Sequence, residues 1–248
     1  MHILFSTDIS VSFNGTPAEF ELVDESTIVA TTPADYQTGS VTVTIHGYTM
    51  TGGAMFNPNS KGDVTVLYLQ NYKQPFAKAN DESWKNGEWW TPAVWNQNAA
   101  SFNAKGNTTV SGMQYKSEEG LTLAFQNGWD KEAYTNGKMW QVATLRPGKY
   151  RLEVTYAYTL VVTDAGNFIS VLIAKGDSES DIPNVADLEQ LNGVYVAYDK
   201  MGTANDSGTL VTPSFEVTET TDVVIGFLTS LAKGNSYFKV TELKLILE

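Results

Sequence analysis

Two stretches of this chain combine aromatic and amide side chains at a spacing that suits carbohydrate recognition. The first is Ser83 to Trp95, where Trp84, Trp89, Trp90 and Trp95 fall within twelve residues and Asn96, Gln97 and Asn98 follow directly. A sugar ring offers an apolar C–H face and a rim of hydroxyls, so it needs a flat aromatic surface with amides or carboxylates beside it. If the run is extended, Trp89 and Trp90 face opposite ways, one toward a core and one toward solvent. The second stretch is Gln126 to Lys138. Trp129 and Tyr134 supply a candidate platform there, with Asp130, Glu132 and Asn136 to hydrogen-bond hydroxyls. It joins two strand-like runs, and loops carried on a rigid sheet are where binding residues concentrate.

Other chemistries are less well provided for. The acidic runs Asp177, Glu179, Asp181 and Asp199, Asn205, Asp206 hold the hard oxygen ligands that Ca²⁺ prefers, but neither has the spacing of an EF-hand loop. No other cofactor is expected. A glycosidase needs two facing carboxylates, for which Glu118, Glu119, Asp130, Glu132 and Glu153 are the candidates. The only histidines are His2 and His46, and there is no cysteine, so a Ser-His-Asp triad is improbable and thiol chemistry, disulfides and Cys-ligated zinc are excluded. His46 reads as a solvated residue on the polar face of its strand. No Gly-rich loop follows a strand and opens a helix, which removes nucleotide chemistry.

These residues sit in a chain of 248, with 16 Lys plus Arg against 28 Asp plus Glu and a net charge of −12. Only Arg146 and Arg151 are arginines. Such a balance does not coat phosphates, so nucleic acid and anionic membranes are poor partners. No run approaches the about 18 continuous apolar residues of a membrane span. The first nine residues show no secretory signal.

The positioning elements are strands. Val41, Val43 and Ile45 alternate with Thr42, Thr44 and His46, a period of two with one buried face. Similar runs occupy Val64–Leu69, Leu121–Phe125, Trp140–Leu145, Tyr150–Tyr158, Phe168–Ile173, Val194–Tyr198, Val223–Leu228 and Phe238–Leu247. Turn pairs such as Asn14-Gly15, Asn136-Gly137, Pro147-Gly148 and Asn192-Gly193 separate them. One short helix is predicted over Pro183–Leu191, capped by Ser180 or Asp181. The fold class is therefore all-β. A linker at Asn57–Gly62 has no apolar residue, and all six tryptophans lie beyond it, which divides the chain into residues 1–57 and 63–248.

The order VSFNGTPA, STIVATTPA, GSVTVTI resembles an IPT/TIG domain, an immunoglobulin-like β-sandwich. The family opens with a further strand and a Gly-rich stretch. Here Leu4–Asp8 stands where that stretch ends, so a domain truncated at its N-terminus is expected, with an export signal upstream. Residues 63–248 resemble the DUF5013 family in the tryptophan-rich opening and in NGKMWQVATLRPGKYRLEV. The closing strands Val223–Phe227 and Tyr237–Leu245 look like those of galactose-binding-type jelly rolls. The resemblance implies a partial Ig-like sandwich followed by a larger jelly roll, in a surface lipoprotein of glycan-degrading gut bacteria. It implies an exported, non-catalytic glycan-binding protein whose Ig-like domain is a spacer, with a structural Ca²⁺ as one option. The alternatives are an adhesion or structural protein contacting other surface proteins, and an accessory or catalytic domain of a glycoside hydrolase. The ligand set expected for a polysaccharide or oligosaccharide is Trp129, Tyr134, Asp130, Asn136, Trp89 and Trp90. The acidic balance favours a neutral or basic partner.

Overall fold

The structure is a computed structural model and describes residues 8–57, 61–79, 89–102, 111–127, 133–161, 163, 166–232 and 236–248. The chain forms two compact units, residues 1–67 with Leu247 and residues 68–246 with Glu248.

In the first unit the strands are β1 (Ile9–Phe13), β2 (Thr16–Ala18), β3 (Phe20–Asp24), β4 (Thr27–Ala30), β5 (Gly39–Ile45), β6 (Tyr48–Met55) and the two-residue β7 (Gly62–Asp63). One sheet has the order β2-β1-β5-β6, and β3 and β4 form a separate hairpin. Asn14 and Gly15 turn β1 into β2 with φ of 46° and 84°, as the Asn-Gly pair predicts. His46 does the same work beside Gly47, with φ of 50° and 81°, between β5 and β6. It is thus a turn residue, one position past the alternation that suggested a strand face. Its backbone N–H donates to Asp8 O at 2.9 Å and its exposed Nδ1 lies 3.2 Å from Asp8 Oδ2.

Ile9, Val11 and Phe13 are buried, and Phe13 meets Tyr36 edge-on at 5.7 Å. The expected buried face of β5 is only half covered. A cleft of about 410 Å³ opens between Leu22 and Ile28 of the hairpin and Val41, Val43 and Ile45 of β5. Two strands cannot cover what four present.

In the second unit the strands are β8 (Trp89–Trp90), β9 (Asn96–Gln97), β10 (Ser111–Lys116), β11 (Gly120–Asn127), β12 (Tyr134–Leu145), β13 (Gly148–Val161), β14 (Phe168–Lys175), β15 (Val196–Lys200), β16 (Ala204–Val211), β17 (Phe215–Val217), β18 (Thr221–Leu231) and β19 (Ser236–Leu247). One sheet runs β16-β13-β19-β11-β10-β8, with β17 also on β13, and the other runs β15-β14-β18-β12-β9. Paired strands are antiparallel. The inner faces meet in an aromatic core: the ring of Phe227 on β18 lies 4.9 Å from Phe125 on β11 and 6.3 Å from Phe238 on β19. The fold is thus an all-β sandwich. The turn after Leu145 places Tyr150 in the core, its hydroxyl donating to Arg146 O at 2.9 Å.

Two sequence expectations are corrected. Val64–Leu69 is no strand but holds a helical turn at Thr65–Tyr68. Asp63 Oδ1 accepts from Thr65 N and Oγ1, and Leu67 N donates to Val64 O, so the side chain before the run closes a turn. The predicted helix over 183–191 shrinks to Leu188–Leu191, preceded by a 3-10 turn at Glu179–Asp181. Its backbone is recruited by β12: Lys138 Nζ donates to Ile182 O, and Val185 N donates to Asn136 Oδ1. Groups bonded across the sheet are not free to close i→i−4 bonds.

Candidate functional site

Alternation on β12 puts Asn136, Lys138 and Trp140 on one face, outside the sandwich core. All three hold the connection between β14 and β15 against the sheet. Trp140 joins Leu172, Val224 and Leu228 in an apolar cluster on that face, and Ile182 and Leu188 of the connection pack into it. Lys138 is buried, and its Nζ donates to Glu179 O at 3.1 Å and Ile182 O at 2.6 Å. Burial pushes the Lys138 amine below its usual range, with Glu179 pulling the other way. Asn136 sits at φ 55° and presents Oδ1 to Val185 N at 2.9 Å. Asn98 braces both ends, donating from Nδ2 to Asn136 O at 2.8 Å and to Glu179 Oε1 at 3.2 Å.

The connection carries its own frame. Asp181 Oδ2 accepts from Asp177 N, Ser178 N and Ser178 Oγ, and Tyr195 donates its hydroxyl to Asp181 Oδ1 at 3.1 Å. The bonds from Ser178 and from the Asp177 and Ser178 amides hold the Asp181 carboxyl below its ordinary value. Burial, and then the bond to Asp181, push the Tyr195 phenol up to about 12. Gly176 has φ 117° and makes room for Asp181, whose Cγ lies 2.2 Å from where a Cβ would stand.

What results is an open cleft of about 460 Å³ lined by Lys138, Ser180, Asp181, Asn184, Asp187 and Tyr195, with Ile182, Pro183 and Leu191 as its apolar part. Asn184 and Asp187 are exposed. A partly buried tyrosine ring, a free amide and two carboxylates share a space fit for one or two sugar rings.

The expected site residues fare unevenly. Asn136 does not line the cleft but anchors the connection that forms it, through Val185 N. Tyr134 is buried, with its hydroxyl 3.1 Å from Thr229 Oγ1 and its ring against Gly137, so it is an interior residue and not a surface platform. Trp89 is buried and Trp90 half-buried, opposite Gln114 and Met113 of β10, in keeping with the two-faced reading of the pair. Trp95 is a core residue, its Nε1 donating to Asn71 O at 3.0 Å and its ring 5.7 Å from Phe227. Trp84, Trp129, Asp130 and Glu132 lie outside the described residues.

Lys138, Asn184, Asp187 and Tyr195 were missed. The available signal was a lysine in phase with Asn136 and Trp140, directly before the Met139-Trp140 pair of β12. Within the candidate Ca²⁺ runs, two carboxylates bond backbone amides: Asp181 as described, and Asp199, whose Oδ1 accepts from Lys200 N and Oδ2 from Val211 N. Among the described residues, no three His, Asp or Glu side chains are grouped to hold a metal ion.

Comparison with known proteins follows this geometry. The model of the domain of unknown function DUF5013 matches residues 70–226. The chain belongs to the DUF5013 family. An IPT/TIG domain precedes the DUF5013 region, matched over residues 4–60. No curated protein matches the chain. Among solved structures it is similar to TmCBM61 in complex with beta-1,4-galactotriose, at 11% identity and TM-score 0.38, over 68% of this chain and 97% of that one. It is similar to carbohydrate-binding modules of the β-sandwich superfamily at 9% identity and TM-score 0.36, over 96% of this chain and 84% of that one. It is also similar to the K3 cleaved adhesin domain of Lys-gingipain from Porphyromonas gingivalis, at 12% identity and TM-score 0.35, over 68% and 98%. At such distances no residue role passes from them to the DUF5013 cleft.

Proposed function

We propose that the second unit is a non-catalytic glycan-binding module and that the Lys138–Asp181–Tyr195 cleft is its binding site. The observation that carries this reading is the pairing of the Tyr195 ring with exposed Asn184 and Asp187 on a connection fixed to β12 by Asn136 and Lys138. The ring provides stacking area for a C–H face, and the amide and carboxylate meet hydroxyls. The fixed frame means little conformational entropy is lost on binding. Asp181 is unsuited to act as a general acid in this cleft. A general acid needs a raised pKa, and Asp181 is held low by three donors on one oxygen. In this reading the protein is exported and displayed at a cell surface, with the first unit as spacer.

A second reading attaches to the first unit. Strand β6 is an edge strand, exposed along nearly its whole length, with Tyr48 81% and Met50 56% exposed. Such an edge is a template for pairing with another chain, which favours adhesion to a surface protein.

The test is retardation of the purified protein in gels containing plant, host and microbial polysaccharides, with and without EDTA, for the wild type and for Tyr195→Ala, Asp187→Asn, Trp90→Ala and Trp129→Ala. Retardation by one polysaccharide class, lost in Tyr195→Ala, supports the cleft. Loss only in a tryptophan variant moves the site to that residue. No retardation by any glycan moves the weight to the protein-contact reading.

A further inference from the structure

We infer that this cleft selects glycans by charge: it admits neutral and amine-bearing sugars and rejects those carrying carboxylate or sulfate. The inference rests on the glycan-binding reading of the same cleft and goes beyond it by naming the ligand class. Its basis is the orientation of one lysine. Lys138 is the single basic residue in the cleft lining. A lysine in a sugar site would ordinarily be the anchor for a uronate or a sulfate. Here the side chain is 6% exposed and both of its hydrogen bonds go to main-chain carbonyls, Glu179 O and Ile182 O. The cation is used to fix the connection and is not presented to a ligand.

The acidic groups have the opposite disposition. Asp187 is exposed at the cleft, and no side-chain bond or ion pair is formed by it among the described residues. Asp181 keeps its charge because its bonded amides and hydroxyls favour the ionised form. Its Oδ1 accepts from the neutral Tyr195 hydroxyl, which stays protonated with its pKa pushed up to about 12. Two carboxylates thus line the space, while the ammonium of the one basic lining residue is held by main-chain carbonyls. An anionic sugar would enter against both charges with no donor cation to meet it. A protonated amino sugar would gain an ion pair with Asp187, and a neutral sugar would lose nothing. Charges a few ångströms apart at a partly solvated surface change affinity by about tenfold or more.

The experiment compares polysaccharides that differ only in charge, using the full chain in affinity gels and by calorimetry: polyuronates against their carboxyl-reduced forms, sulfated glycans against desulfated ones, and chitosan against its N-acetylated form. The expected result is that at least one neutral or amine-bearing glycan binds, and its anionic counterpart binds at least about tenfold more weakly. Asp187→Lys should remove or reverse that preference, and being exposed it should leave the melting temperature in place. Lys138→Met should lower the melting temperature and weaken all ligands to the same degree. Two results overturn the inference while leaving glycan binding intact. One is an anionic form binding as well as its neutral partner. The other is a Lys138→Met protein that folds and loses anionic ligands alone. If no glycan of any charge binds the folded protein, the glycan-binding reading fails and this inference fails with it.

Discussion

Lys138 on β12 donates to the Ile182 carbonyl oxygen at 2.6 Å, across 44 positions of sequence. The same ammonium holds Glu179 O. The bonds are charge-assisted, and they tie the connection between two strands of the sheet to a third strand. Replacing Lys138 by Met removes both, leaving Ile182 O without this donor while Glu179 O keeps its bond from Ile182 N. The expected loss is about 2–4 kcal/mol, a melting temperature lower by roughly 5–15 °C. Calorimetry of the variant checks it. An unchanged melting temperature would mean that the apolar cluster under Ile182 and Leu188 holds the connection unaided.

Gly226 lies opposite Trp140 in the β12–β18 register and opposite Leu172 in the β14–β18 register. A Cβ there would stand 2.1 Å from Met139 O and 2.8 Å from Trp140 Cα. Both are backbone atoms, so neither can swing aside. Gly226→Ala is expected to destabilise the sandwich by about 1–3 kcal/mol or more. Gly208 gives the contrast. A Cβ there meets the far end of the Tyr156 ring at 2.5 Å, and a side chain can shift. Gly208→Ala should therefore cost clearly less in a denaturant titration of both variants, and equal costs would contradict the backbone argument.

Asp181 gives the cleft a defined response to acid. Its folded pKa is below the ordinary 3.8. The stabilisation it contributes is therefore complete above the unfolded value and is lost as pH falls through the lower folded value. Asp181→Asn should melt below the wild type at pH 7. The gap should stay constant down to about pH 4 and close at more acid pH, where the wild-type carboxyl also loses its charge. A gap that persists unchanged at pH 2.5 would show that geometry, and not charge, sets the value of this residue.

Much of the sandwich was legible in the sequence because its strands alternate and their turns carry Asn, Gly and Pro. The Leu145–Tyr150 reversal and the runs around Leu172 and Ile225 are examples. Less legible was anything decided by a single side-chain bond, whether from a neighbour or from a segment distant in the chain. Val64–Leu69 has the composition of a strand, yet the Asp63 side chain closes a helical turn there. Pro183–Leu191 has the signals of a helix, yet β12 takes its backbone bonds. Trp89 and Trp95 show a related limit. Their composition fits sugar stacking, but Trp89 and Trp95 fill interior space that nothing local reveals. The cleft was hard to see because Lys138 comes from β12 while Asp187 and Tyr195 come from the connection between β14 and β15, two segments joined only by the fold. Asn136 was reached from its place in a polar loop, and its role proved to be anchoring.

Asn136 combines two jobs that substitution can separate. Its φ of 55° lies in the left-handed region, and its Oδ1 accepts from Val185 N at 2.9 Å. Asn136→Gly keeps the backbone freedom and removes the acceptor. Asn136→Asp keeps the acceptor and tests the charge. Asn136→Ala removes the acceptor and leaves in the left-handed region a residue without the short polar side chain that makes it tolerable for Asn, a conformation that costs roughly 1–2 kcal/mol for most residues. The bond itself is worth about 1 kcal/mol. The expected order of stability is wild type, then Asp, then Gly, then Ala, read from chemical denaturation. If the cleft is the glycan site proposed above, affinity should fall in Gly and Ala together, because both free the connection at Val185. If Gly matches the wild type in both measurements, the side-chain bond does not hold the cleft, and only the backbone turn at Asn136 matters.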